Sequence, residues 1–111
     1  MTIDFEQARA IAVTEARKVL LRLAGDRTDY LRSDYVEGHV CWIFFRASDI
    51  GVPRDDWLEG DWAYGISRWG DVRFVYDLSD DPVRMQKYVE LLSDFFVRDR
   101  AREADRVRRE Q

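Results

Sequence analysis

Few residues in this sequence have types and spacings that could do chemistry. His39 and Cys41 stand two positions apart, which on a strand puts both side chains on one face. Together they could form a thiolate–imidazole pair for nucleophilic catalysis. Their neighbours Val40, Trp42 and Ile43 are apolar, and such surroundings raise a thiol pKa and leave it inert. The chain has one histidine and one cysteine, whereas a zinc site takes three or four protein ligands. The pair reads as a structural cysteine beside a turn histidine. Asp77, Asp80 and Asp81 in the string DLSDD have the hard oxygen ligands that magnesium or calcium prefers. The string lacks the alternating acids, central glycine and terminal glutamate of a calcium loop. Helix capping accounts for Asp80 and Asp81 without a metal. No glycine-rich phosphate loop and no nucleophile elbow is present. The sequence therefore predicts no enzyme, no catalytic residue, no cofactor and no metal site.

What remains is charge. The net charge is −4, and it is spread unevenly. Asp49, Asp55, Asp56, Glu59 and Asp61 face a single Arg54, giving −4 over thirteen residues. Trp57 and Leu58 sit among these acids. A tryptophan ringed by carboxylates suits a recognition loop, in which the aromatic anchors and the acids steer a basic partner. The same Trp57 and Leu58 could instead tuck back onto the core while the acids face water. At the other extreme, Arg98 to Gln111 holds six arginines and four acids. Phosphate contacts are conceivable there, but Asp99, Glu103, Asp105 and Glu110 dilute the arginines and no aromatics interleave for base stacking. A solvated helix end with no nucleic-acid partner is the expectation.

The elements that must hold these groups follow from periodicity. The 111 residues bound the chain to one domain, and six Phe, five Tyr and four Trp supply a core. No apolar run approaches the ~20 residues that cross a bilayer, and the acidic, amphipathic MTIDFEQARA differs from a signal peptide. A cytoplasmic protein with no membrane partner is the default. Asp4 with Gln7 reads as a capping box. Phe5, Ala8, Ala12, Ala16, Val19 and Leu23 form one helical face, and Gly25 closes the helix. Tyr30 to Val36, Val40 to Arg46, Trp62 to Ser67 and Val72 to Tyr76 alternate as strands. Val40 to Arg46 is apolar on both faces, so it is expected to be central and covered twice, or to meet a partner. Pro82 with Asp81 before it starts a second helix, whose apolar stripe ends at Phe96.

This order predicts an α+β fold: an N-terminal helix, a four-stranded antiparallel meander sheet and a C-terminal helix with a charged extension. With both helices on one sheet face, it would be two-layered. Residues 1–97 are the expected α+β domain, and 98–111 the Arg-rich helical extension.

Three stretches carry a family resemblance: the helix DFEQARAIA, the strand CWIFFRAS, and AYGISRWGDVRFVYD, a strand, glycine turn and strand. In these the chain resembles the YrhB-type immunity proteins of bacterial polymorphic toxin systems. The resemblance implies a small cytoplasmic protein that neutralises a cognate toxin by direct contact. It transfers no site residues. The charge map adds a toxin with a basic surface, met by Asp49, Asp55, Asp56, Trp57, Glu59 and Asp61. The alternative is a self-associating structural or accessory domain, a homodimer with no toxin partner.

Overall fold

The computed structural model describes residues 2–51 and 62–110. Helix α1 spans Phe5–Ala24, strands β1 to β4 span Leu31–Glu37, Cys41–Arg46, Trp62–Ser67 and Val72–Tyr76, and helix α2 spans Pro82–Glu110. The α1 start is a complete capping box. The Asp4 carboxylate accepts from the Gln7 N–H at 2.8 Å, and the Gln7 side chain accepts from the Asp4 N–H at 2.9 Å. Gly25 ends the helix at φ 73°, a left-handed conformation that a Cβ would penalise. Ala8, Ala12, Ala16 and Leu20 are buried. Four-residue steps put them on one stripe, and three alanines let the helix approach the sheet closely.

The strands form one sheet in the order β1-β2-β3-β4, antiparallel throughout. This is the α+β meander with a helix at each chain end that the periodicity predicts. The layering differs from the expectation of two layers. Helix α1 packs on Trp42, Phe44, Tyr64 and Ile66. Helix α2 packs on Cys41, Ile43, Phe45, Ala63 and Val75, the alternate residues of the same strands. The helices therefore cover opposite faces and the domain has three layers. The physical reason is β2. Its residues from Cys41 to Phe45 are all buried, so each face carries large apolar groups that one helix layer could not cover.

Helix α2 buries Met85, Val89, Leu92, Ser93 and Phe96 and then leaves the sheet. Its 29 residues span about 44 Å at 1.5 Å per residue, close to the 46 Å longest dimension of the molecule. Arg100 ties the first turn of the extension back. Its guanidinium stacks 4.8 Å from the Trp69 ring centroid and lies 3.9 Å from the Asp71 carboxylate. Further out, Asp105 bridges Arg108 and Arg109 along the helix. No helix among the described residues is long and apolar enough to cross a membrane.

Candidate functional site

The histidine and the cysteine do not form a reactive pair. Cys41 opens β2 on the face that α2 covers and is buried, and burial pushes its thiol up. Its Sγ lies 3.2 Å from the Ser93 hydroxyl and 3.7 Å from the Val89 carbonyl oxygen. The same hydroxyl accepts from the Val40 N–H at 3.3 Å. These contacts fasten the β1–β2 hairpin to α2. His39 lies in the exposed turn, and its carbonyl accepts from the Arg68 guanidinium at 3.2 Å. One group faces the core and the other faces water.

The DLSDD string serves the chain itself. The Asp77 carboxylate accepts from the Ser79 N–H at 3.0 Å and from the Ser79 hydroxyl at 2.5 Å. Asp81 caps α2 by accepting from the Arg84 N–H at 3.1 Å. Among the described residues, no group of three or more His, Cys, Asp or Glu is placed to hold a metal ion.

The acidic stretch is described only at its edges. Asp49 is exposed, and both of its carboxylate oxygens meet Arg27, at 3.1 and 3.3 Å. These hydrogen bonds to Arg27 hold the Asp49 carboxyl below its ordinary range, against desolvation, which opposes them. Arg27 also donates to the Asp29 carbonyl at 2.7 Å, which fixes it as a bracket between the α1–β1 connection and the end of β2. Ala47 and Ile50 are buried beside it, and the Ala47 N–H donates to the Tyr30 carbonyl at 2.9 Å. Asp55, Asp56, Trp57, Glu59 and Asp61, the other expected contact residues, lie outside the described residues.

The sheet register puts Asp49 and the start of the DLSDD string at one end of the sheet. Trp62, the first described residue after the stretch, pairs with Tyr76. Asp77, Asp80 and Asp81 follow Tyr76 directly, with Asp80 and Asp81 exposed. Leu31, the first residue of β1, pairs with Arg46, the last of β2, so Asp29 and Asp49 belong to the same end. Asp29 is held below its ordinary range. Burial opposes its charge, but the Leu31 N–H and the Arg9 guanidinium more than offset that.

Sequence reasoning passed over a second surface. Strand β4 is an edge, and Val72, Phe74 and Tyr76 expose 37%, 48% and 61% of their surface. Below Tyr76 runs an open groove of about 600 Å³, lined by Leu78, Arg84, Lys87, Tyr88 and Leu91. The alternation Val72-Phe74-Tyr76 in the last strand of a meander was the signal for it.

Compared with known proteins, the chain matches no family model, no curated protein and no solved structure.

Proposed function

We propose that this chain is a non-enzymatic, cytoplasmic binding protein that neutralises a cognate bacterial toxin by direct contact through the acidic end of its sheet. One observation carries the reading. The register of β3 against β4 sets Trp62, the residue after the acidic stretch, across from Tyr76, and the exposed Asp80 and Asp81 follow Tyr76 in the chain. Asp49, Asp80 and Asp81 thus belong to one end of a sheet that is packed on both faces. Clustered like charge on a rigid frame raises the local potential and speeds encounter with an oppositely charged surface. The buried thiol with its raised pKa, the Asp77 bond to the Ser79 N–H and the Asp81 cap on the Arg84 N–H support a binding role over a catalytic one. The resemblance to YrhB-type immunity proteins points the same way and supplies the class of partner, a toxin with a basic surface.

The test is kinetic. The toxin is sought as the basic C-terminal domain of a neighbouring reading frame, coexpressed with this chain and assayed for rescue of growth. With the purified pair, changing Asp55, Asp56 and Glu59 to Asn, Asn and Gln is expected to slow association at least tenfold at low salt and to flatten its salt dependence. Association that is equally fast, with an unchanged salt slope, would sink the acidic-end reading. Failure of the chain to rescue growth would sink toxin neutralisation itself.

A further inference from the structure

The β3–β4 turn fixes which main-chain groups of β4 face outward. The Ser67 N–H donates to the Asp71 carbonyl at 2.9 Å, so Ser67 and Asp71 form a hydrogen-bonded pair. Antiparallel pairs alternate between bonded and non-bonded. Gly65 with Arg73, and Ala63 with Val75, are therefore the other bonded pairs in the register. The N–H and C=O groups of Val72, Phe74 and Tyr76 point away from the sheet. The same three residues expose large apolar side chains. Among the described residues only one outward group meets a partner, the Tyr76 N–H at 3.5 Å from the Tyr88 hydroxyl, a long contact.

Edge strands of monomeric proteins are blunted by bulges, charges or prolines. Strand β1, the opposite edge, has both of the first two devices. Its register slips between Leu31 and Tyr35, and Arg32 and Asp34 pair along it at 2.9 Å. Strand β4 is regular in register, holds one charge in five residues and has no proline.

We infer that β4 pairs with β4 of a second copy of this chain, antiparallel about a two-fold axis at Val75, to form one continuous eight-stranded sheet. The occupant follows from charge. The groove beside the edge carries Arg84 and Lys87, and Arg73 stands over the Phe95 ring at 4.1 Å on the same side. Asp77, which follows Tyr76, lines the same groove, so the edge carries a cation at Arg73 and a carboxylate at Asp77. That order of charges is complementary to itself when two copies run antiparallel. With Val75 opposite its own copy, Phe74 faces Tyr76 of the second copy, and Arg73 faces Asp77 of the second copy, twice over by symmetry. Asp77 can accept this, because both Ser79 bonds land on its Oδ1. A register centred on Phe74 instead would set Asp71 against Asp77 of the second copy, and like charges directly opposed destabilise a sheet. The chosen register makes on the order of four new main-chain hydrogen bonds and joins two apolar stripes. It stands apart from the toxin-binding reading and shares only Tyr76 and Asp77 with it.

Sedimentation equilibrium of the full chain, from low micromolar to hundreds of micromolar, tests the pairing. A monomer–dimer equilibrium is expected. Phe74→Lys, at a half-exposed position, is expected to weaken the dimer at least tenfold with an unchanged circular dichroism spectrum. Arg73→Asp alone and Asp77→Arg alone are each expected to weaken it, and the combined exchange to restore it. A chain that stays monomeric throughout overturns the inference and leaves the edge to a strand of another protein. A dimer indifferent to Phe74→Lys, or an exchange that fails to restore pairing, overturns it as well.

Discussion

Trp62 stands directly across from Tyr76 in the β3–β4 ladder, with ring centroids 5.1 Å apart and ring planes tilted by 33°. The pair closes the end of the sheet where the acidic stretch returns and the DLSDD string begins. Cross-strand aromatic pairs add roughly 0.2–1 kcal/mol to a sheet. Tyr76 is the more exposed partner, with 61% of its surface in water, so little cavity cost is added. Tyr76→Ala is expected to lower unfolding free energy by about 1 kcal/mol, read as a shift in urea midpoint at constant slope. A loss above about 3 kcal/mol would mean that Tyr76 is a core residue, contrary to its exposure.

The Cys41 thiol is expected to be silent toward a thiol reagent at neutral pH until the protein unfolds. Burial pushes its pKa up, and outweighs Ser93 and Arg68, which pull the other way. The thiolate is the reacting species, so both its scarcity and its inaccessibility protect it. Ser93→Ala removes the hydroxyl that serves both Cys41 and the Val40 N–H. Leaving that amide without its acceptor is expected to cost about 1–2 kcal/mol. Labelling in Ser93→Ala should speed up in proportion, because opening of the hairpin becomes easier. A thiol that labels at the free-cysteine rate in the native protein would contradict this account.

Much of this architecture is legible in the sequence because it rests on local signals. The Asp4–Gln7 box and the Gly25 stop depend on neighbours within one turn. Strands β3 and β4 have the bounds that alternation predicts, Trp62–Ser67 and Val72–Tyr76. The layering is not local. Periodicity shows that each helix has an apolar face but not which side of the sheet that face meets. Only the two apolar faces of β2 hinted that each side needs a helix. Ser93, a polar residue of α2, is buried because Gly38, Val40 and Cys41 approach it from the sheet. Leu91, an apolar residue between the buried Val89 and Leu92, is 66% exposed. At the acidic end, the Arg27 bracket on Asp49 joins residues 22 positions apart, which no spacing rule could have joined.

Among the described residues, the buried Tyr64 hydroxyl meets no hydrogen-bond partner. Burial pushes its phenol from 10.0 up to about 12, with Arg46 opposing and Glu15 assisting. A pKa raised in the folded state means that the native protein holds its proton longer than the unfolded chain does. The resulting stability is present below pH 10 and is lost as the pH rises from 10 through about 12, because the unfolded phenol ionises first. The full loss amounts to about 2–3 kcal/mol. Tyr64→Phe is expected to be neutral or stabilising by up to about 1 kcal/mol at pH 7, since it removes an unpaired polar atom. It should also remove this part of the alkaline decline. Equal alkaline slopes in the two proteins would show that Tyr64 ionises as easily folded as unfolded.

Gly38 reads in the sequence as a turn glycine, yet its φ is not positive; among the described residues only Gly25 and Gly70 have positive φ. What Gly38 supplies is room. A Cβ there would lie 2.6 Å from the Ser93 hydroxyl oxygen and 2.9 Å from both the Val89 carbonyl oxygen and a Val89 methyl carbon. The serine could rotate, but the helix carbonyl cannot move without shifting α2. Such overpacking costs about 1–3 kcal/mol, and displacement of Ser93 adds the loss of its bond to the Val40 N–H. Gly38→Ala is therefore expected to destabilise the fold by about 2–4 kcal/mol in total. Gly51→Ala is the control. A Cβ at Gly51 meets nothing within 4 Å, and its φ is not positive, so the change is expected to be neutral within about 0.5 kcal/mol. Thermal or urea unfolding of the two variants side by side decides the matter. Equal stability would mean that the hairpin does not press on α2 as closely as these distances state.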